Sequence, residues 1–173
     1  MTFTLHDASA PVFVTMLTNM RAWLDKAAAE GDEAALIGAR LAEDMRPLPA
    51  QYQMASDSAK NAMARLAGIE APAMADDEAS FAELRARCDK TIAFIRSVDA
   101  AALAGAEGRE ISLRFPNGMG YRFSGRDYLN RFALPNFYFH ATAAYAIMRA
   151  AGIGLGKPDF LQHLGAPETM PEA

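Results

Sequence analysis

The stretch from Phe132 to Met148, FALPNFYFHATAAYAIM, contains no charged residue, although 22% of the 173 residues of the chain are charged. Apolar side chains recur through it every three or four residues, the period of an α-helix that buries one face. Asn136 and His140 interrupt this apolar stripe four residues apart, so both leave the helix from the same face. The stretch therefore predicts a core helix that carries two polar groups into the interior.

We expect this helix to begin near Ser124 and to end near Ala151, because Gly152 is a typical terminating residue. Pro135 has no backbone N–H, so we expect it to kink the helix just before Asn136.

Three further helices are predicted upstream. The first spans about 8–29, and the second spans about 47–67 and stops before Gly68. The third begins at Ser80, which forms an S-x-x-E capping box with Glu83. Each carries an apolar stripe at helical spacing, as expected for helices that share one core.

The only strand-like segment lies before the last helix. REISLRF alternates apolar and polar residues, PNG is a turn signal, and YRF alternates back. We predict a hairpin that pairs 109–115 with 119–123. The whole chain, 1–173, is then a single all-α domain, a four-helix bundle with one small hairpin, and residues 155–173 form a Gly- and Pro-rich tail that is draped or frayed.

Composition excludes several classes of protein. The net charge is -4, and no basic patch suggests nucleic acid or an anionic membrane as a partner. The single cysteine, Cys88, excludes an internal disulfide, and its place on an apolar stripe indicates a packed side chain. MTFTLHDASAPVF at the start has none of the features of a signal peptide. We expect a cytoplasmic protein that does not enter a membrane.

The polar pair Asn136 and His140 has several interpretations. It could line a ligand pocket, hold a metal, take part in acid–base catalysis, or be a hydrogen-bonded pair in the core. The second helix offers Gln51, Gln53 and Asp57 as further polar groups. One imidazole with an amide and a carboxylate is a weak transition-metal site. We therefore take Asn136, His140, Gln53 and Asp57 as ligand-binding candidates, and we expect at least one of Gln53 and Asp57 to share a common centre with Asn136 and His140.

Two other groups of residues could take part in binding. The aromatic residues could line a pocket, although their helical spacing favours packing: Tyr121, Tyr128, Tyr138, Tyr145, Phe132, Phe137 and Phe139. Four arginines could bind an anion, although a solvated surface is the simpler interpretation: Arg46, Arg122, Arg126 and Arg131.

Two segments resemble a known family: LHDASAPVF at the start, and FSGRDYLNRFALPNFYFHATAAYAIMRAAG, residues 123–152. They are similar to a bacterial family of unknown function in the DinB/YfiT-like metalloenzyme superfamily. The resemblance covers nearly the whole chain. It implies an up-down-down-up four-helix bundle that is often dimeric.

In typical DinB-like proteins, an H-x-x-x-H pair on the last helix and a histidine on the second helix bind a divalent metal such as nickel or zinc. The resemblance places His140 on the second histidine, Asn136 on the first, and the helix-two ligand near Gln53 or Met54. It implies a degenerate site with one of three histidines, in which His140, Asn136 and Asp57 would be the ligands if a metal binds. No other cofactor is expected.

We expect from these residues a small-molecule or structural binding module. The alternative is a divalent-metal-dependent enzyme of hydrolase or thiol-transferase type that uses His140, Asn136 and Asp57. The helix at 132–148 is apolar around most of its circumference, so we also expect a homodimer that covers the excess, unless the hairpin and the tail cover it.

Overall fold

Four long helices form the bundle in the computed structural model, which describes residues 3–170. They are listed here in chain order: α1 (Ala10–Glu30), α3 (Leu48–Ala67), α4 (Phe81–Ser97) and α6 (Leu134–Ala150). The main contacts are α3 with α6, α1 with α4, and α3 with α4. The predicted all-α bundle with up-down-down-up connectivity is confirmed, and the long link 68–80 joins α3 to α4.

The helix ends follow local capping. At the start of α4, the Ser80 hydroxyl accepts the Glu83 N–H at 3.2 Å, and the Glu83 carboxylate accepts the Ala79 N–H at 2.8 Å. Gly68 ends α3 with a φ of 71°, a conformation that favours glycine. Both ends were predicted from the sequence.

One short helix was not predicted. α2 (Glu33–Gly38) follows α1 directly, and Asp32 caps it by accepting the N–H groups of Ala34 and Ala35 at 3.0 and 3.4 Å. A helix of this length covers less than two turns, so it shows no apolar periodicity in the sequence.

The last predicted helix is not a regular α-helix along its whole length. It begins as α5 (Gly125–Tyr128), passes through a π-helical turn (Leu129–Ala133), and continues as α6. Pro135 is near the start of α6 and has no N–H to donate to the carbonyl of Arg131. The distortion expected before Asn136 therefore takes the form of a π-helical turn.

The hairpin consists of β1 (Glu110–Arg114) and β2 (Gly120–Ser124), paired antiparallel with Leu113 opposite Tyr121. Ile111 and Leu113 on β1 are buried, so this strand packs its apolar face on the bundle. The predicted hairpin is confirmed, with strands about one residue shorter at the turn.

The tail packs on α1 as far as Leu164, so this part of it is ordered rather than frayed. It contains α7 (Lys157–Phe160), and the Trp23 indole N–H donates to the carbonyl of Asp159 at 3.0 Å. Phe160 stacks on Trp23 with ring centroids 5.3 Å apart. The end of the predicted tail, 171–173, lies outside the described residues.

The hairpin and the tail each cover part of the apolar stretch 132–148. Phe132 packs against Phe123 of β2, and Tyr145 packs against Phe160 of the tail. Phe139 is the large apolar side chain of α6 that stays exposed, at 58%. Part of the stretch is thus covered within the chain, and Phe139 is left for contact with another molecule.

None of the helices within 3–170 is long and apolar enough to cross a membrane.

Candidate functional site

A pocket of about 400 Å³ lies between α3, β1 and the segment from α5 to α6. We call it the α3–α6 pocket. It is lined by Met54, Asp57, Ser58, Asn61, Arg65, Leu113, Arg114, Phe115, Tyr128, Phe132, Ala133, Asn136 and His140. Three of the four predicted ligand-binding residues, Asp57, Asn136 and His140, lie on its wall, and Gln53 does not.

His140 is held from behind by α3. Its Nδ1 is 2.9 Å from Oε1 of Gln51, and the Gln51 amide Nε2 donates to the carbonyl of Arg46 at 2.9 Å. Because the Gln51 amide nitrogen is used in that second bond, the Gln51 oxygen faces His140 as an acceptor. His140 therefore carries its proton on Nδ1 when it is neutral, and Nε2 is left with a lone pair.

His140 lines the pocket, and its Nε2 atom is the ring nitrogen that Gln51 does not contact. Nε2 has no hydrogen-bond partner within residues 3–170. Every fully buried side-chain nitrogen or oxygen in that part of the chain does have one. Nε2 is therefore accessible, although His140 as a whole is only 8% exposed. Burial also lowers the pKa of His140 from its ordinary value of 6.5, which favours the neutral ring.

Asn136 is oriented by a different residue of α3. Its Nδ2 donates to the Ser58 hydroxyl at 2.7 Å, and that hydroxyl donates to the carbonyl of Met54 at 2.6 Å. The single hydroxyl proton of Ser58 is used in the second bond, so Asn136 must be the donor in the first. Asn136 and His140 thus lie side by side on the pocket wall with fixed orientations.

Asp57 and Gln53 are engaged elsewhere. Asp57 Oδ1 lies 2.9 Å from Nζ of Lys60 and 2.9 Å from Nη2 of Arg87. Gln53 Nε2 donates to Glu78 at 2.9 Å, on the side of α3 that faces the link 68–80. Asp57, Asn136 and His140 therefore all line the α3–α6 pocket, although no direct hydrogen bond joins any two of them. Gln53 lies outside the pocket.

Arg87 on α4 is the centre of an ionic network behind the pocket. It is 2% exposed, and it contacts carboxylates of Asp57 at 2.9 Å, Asp76 at 3.0 Å and Glu78 at 2.8 Å. Burial of Glu78 opposes its ionisation, but hydrogen bonds from Arg87 and Gln53 outweigh this and lower its pKa. The network ties the link 68–80 to α3 and neutralises Asp57.

Sequence reasoning missed Arg87, although a signal was present. Arg87 follows Leu84 by three residues and precedes Thr91 by four, so it lies on the apolar stripe of α4. A charged residue at such a position indicates a buried ion pair, because an unpaired buried charge is too costly. Neighbouring Cys88 is buried as predicted, and burial raises the pKa of its thiol to about 12, so the protonated thiol is favoured at neutral pH.

The residues present do not fit a nickel or zinc centre. Such metals prefer several imidazoles or thiolates, and the pocket offers the single imidazole of His140. The carboxylate of Asp57 is already paired with Lys60 and Arg87. Within residues 3–170, no three His, Cys, Asp or Glu side chains are grouped so that they could hold a metal.

Further residues of the pocket were not among the predicted site residues. They are Ser58, Asn61, Arg65 and Arg114, together with Gln51 behind His140. None of the four arginines first considered for anion binding lines the pocket, whereas Tyr128 and Phe132 of the aromatic set do. Arg114 alternates with buried Leu113 on β1, and only the packing of the hairpin on the bundle brings it to the pocket.

Comparisons with known proteins agree with this fold. The chain is similar over 96% of its length to a crystal structure of a DinB family member protein from Shewanella denitrificans, with 36% identity, 96% of that chain covered and a TM-score of 0.84. A comparison with curated proteins found no match. Residues 5–161 match the model of DUF1993, a domain of unknown function. The resemblance to a DinB-like family of unknown function is thereby confirmed, and the chain belongs to the DUF1993 family.

Proposed function

We propose that this protein is a small-molecule binding module that works without a metal and holds its ligand in the α3–α6 pocket. Ligand pockets in proteins combine apolar walls with a few polar groups at fixed positions. Here Phe115 and Phe132 supply apolar wall, while Asn136 and His140 supply polar groups whose orientation is set by α3.

The observation that carries the proposal is the lone pair of His140 Nε2 at the pocket wall. Gln51 holds the Nδ1–H on the opposite side of the ring, and burial lowers the pKa of His140, which favours the neutral ring. Nε2 is then an acceptor for a hydroxyl, amide or thiol hydrogen of the ligand. Nε2 has no partner among the described residues, so a ligand that donates to it adds a hydrogen bond without breaking one within the protein.

The same geometry favours a second function. A neutral imidazole with Nδ1–H bonded to a fixed oxygen and Nε2 facing a pocket has the arrangement of a general base. In this alternative, His140 removes a proton from the bound molecule. The metal-dependent enzyme that uses His140, Asn136 and Asp57 has less support, because the Asp57 carboxylate is neutralised by Lys60 and Arg87.

The test is a fragment screen read by NMR on the histidine ring signals. Small hydroxy, amide and thiol compounds with an aromatic body should shift the ring signals of His140 saturably. The ring signals of His163, which belongs to the tail and contacts Asn19 of α1, should stay unchanged. His140→Leu should weaken the donor-bearing fragments and spare analogues that lack the donor. Saturable shifts at no pocket residue across the screen would refute the proposal.

The same sample tests the metal alternative. Nickel or zinc, added at one equivalent, should leave His140 and Asn136 unperturbed, and elemental analysis of tag-free protein should find well under one metal per chain. One tightly held metal per chain, lost in His140→Leu, would favour the enzyme.

For assembly, we propose a homodimer that uses exposed apolar side chains. Phe139 on α6 is 58% exposed, and Met119 and Tyr121 of the hairpin are 71% and 56% exposed. A stable interface needs about 800 Å² from each partner. Light scattering on a dilution series should give twice the chain mass of 18.7 kDa, and Phe139→Ser should lower it. The chain mass at every concentration would refute the dimer.

A further inference from the structure

The charges around the α3–α6 pocket are unbalanced. The carboxylate of Asp57 on its wall is neutralised by Lys60 and Arg87, which lie behind it. Arg65 and Arg114 also line the pocket, and neither has a carboxylate partner among the described residues. The pocket therefore presents positive charge to whatever enters it.

Arg114 is available for a ligand. It is the last residue of β1, on the exposed side of the strand, and it makes no side-chain hydrogen bond or ion pair with residues 3–170. All five N–H donors of its guanidinium group are free to bind an acceptor.

Arg65 is placed by the wall of the pocket itself. Its Nη1 donates to the Tyr128 hydroxyl at 2.8 Å, and its guanidinium carbon lies 5.8 Å from the centre of the Tyr128 ring. One N–H is used in that bond, and the others have no partner in the described part of the chain. A guanidinium group that is already positioned loses less entropy on binding an anion.

The two kinds of polar group differ in depth. Arg65 and Arg114 are exposed, so they mark the rim, whereas His140 is 8% exposed and marks the interior. Phe132 and Leu113 lie on the wall of the same pocket. A ligand that satisfies all of these groups has an oxyanion at one end, an apolar body, and a hydrogen-bond donor at the other end.

We infer that the α3–α6 pocket binds a small organic anion, with a carboxylate or phosphate group on Arg114 and Arg65 and a hydroxyl, amide or thiol donor on His140 Nε2. This inference rests on the proposed binding function and names its ligand class. Arginine matches both oxyanions because its planar group donates two parallel hydrogen bonds. Contact between the apolar body of the ligand and Phe132 favours such a ligand over an inorganic anion.

The experiment compares one compound with and without its charge. The probes are 4-hydroxyphenylacetate, its neutral amide and 2-(4-hydroxyphenyl)ethyl phosphate, each with a phenol hydroxyl at the end opposite the oxyanion or amide, titrated by NMR and calorimetry at low salt. The carboxylate or the phosphate, or both, should bind at least about tenfold tighter than the amide, because hydrogen bonds between two charged groups are stronger than those to a neutral amide. Added salt should remove much of the difference. The stronger of the two anions identifies the oxyanion.

Arg114→Gln is the decisive variant, and Arg122→Gln is its matched control. Arg122 is on the facing strand opposite Ser112 and does not line the pocket. Arg114→Gln should weaken the anion about tenfold and leave the amide unchanged, and Arg122→Gln should change neither. Both sites are exposed, so both variants should fold, which thermal unfolding checks.

The outcomes separate this inference from the proposed function. If the amide and the anions bind equally well, the anion assignment is overturned and the binding module remains. The same holds if Arg114→Gln and Arg122→Gln lose equal affinity for the anions. If the anions fail to bind while neutral fragments still shift His140, the anion assignment is likewise overturned. If no compound of either kind shifts His140, the binding module itself is overturned.

Discussion

His140 on α6 and Gln51 on α3 are joined by a hydrogen bond of 2.9 Å between Nδ1 and Oε1, and both side chains are more than nine-tenths buried. This contact links the two helices that pack most extensively on each other. It also fixes which ring nitrogen of His140 faces the α3–α6 pocket. The structural role and the proposed functional role of His140 thus depend on the same bond.

A double-mutant cycle measures this bond. Gln51→Leu and His140→Phe each leave one buried polar group without a partner, so each should lower the free energy of unfolding by about 1–3 kcal/mol. The double variant removes both polar groups and should be more stable than the sum predicts, by about 1 kcal/mol. Urea unfolding of the four proteins gives the coupling.

The control cycle pairs Gln53→Leu with His140→Phe. Gln53 bonds to Glu78 and does not reach His140, so these two changes should be additive. Additivity in the Gln51 cycle, or coupling in the Gln53 cycle, would contradict the geometry described above.

The pH dependence of stability should carry the signature of His140. Burial lowers its pKa in the folded state below the ordinary value of 6.5, so between these two values the unfolded chain binds the proton more tightly. The contribution of neutral His140 to the free energy of unfolding is complete above about pH 6.5, and it is lost as the pH falls through the pKa of His140 in the folded state. The free energy of unfolding should therefore fall as the pH is lowered below about 6.5.

His140→Gln tests this assignment. The variant should have a shallower slope over the same interval, because the titrating group is gone. The depressed carboxyl pKa values, such as those of Glu78 and Asp159, act at lower pH and should affect both proteins equally. An unchanged slope in His140→Gln would show that other groups cause the loss.

Arg87→Met should be strongly destabilising. Arg87 is buried against Asp57 and Glu78, and its removal leaves Glu78 without an ionic partner among the described residues, whereas Asp57 keeps Lys60. Loss of one member of a buried ion pair costs about 3–5 kcal/mol. The link 68–80 should also become sensitive to protease, since Arg87 binds the carbonyl of Ala75 at 2.8 Å.

Arg85→Met is the matched control on the same helix. Arg85 is partly exposed and pairs with Asp25 at 2.9 Å, so its removal should cost under about 1 kcal/mol. Similar losses for the two variants in chemical unfolding would contradict the central role of Arg87.

Gly120→Ala should disturb the hairpin that carries Arg114. A Cβ atom built on Gly120 would lie 1.9 Å from the carbonyl oxygen of Leu113 on the facing strand, so the strands must separate. We expect a loss of about 1–3 kcal/mol and weaker binding of anionic ligands. Gly38→Ala, where nothing lies within 4 Å of the new Cβ, should be neutral or stabilising by up to about 1 kcal/mol. Thermal unfolding of both variants checks this: a loss in Gly120→Ala alone indicates the backbone collision, whereas equal losses indicate a general effect of replacing glycine by alanine.

The sequence by itself determined the four long helices and the hairpin. Apolar spacing located the four long helices, the Ser80–Glu83 pattern located the start of α4, and the alternation before Pro116 located the hairpin. These signals are local, because helix and strand periods and capping bonds involve residues close together in the chain. The sequence also placed Asn136 and His140 on the inner face of α6 for the same reason.

Only the tertiary structure decided which groups meet at the site. Gln51 and Gln53 are two residues apart on α3, so they point to nearly opposite sides of the helix, and the rotation of α3 against α6 selects Gln51 as the partner of His140. The same packing pairs Asp57 with Arg87 and brings Arg114 to the pocket. Periodicity defines the face of a residue, but contacts between distant segments depend on how the helices pack, and no local pattern encodes that.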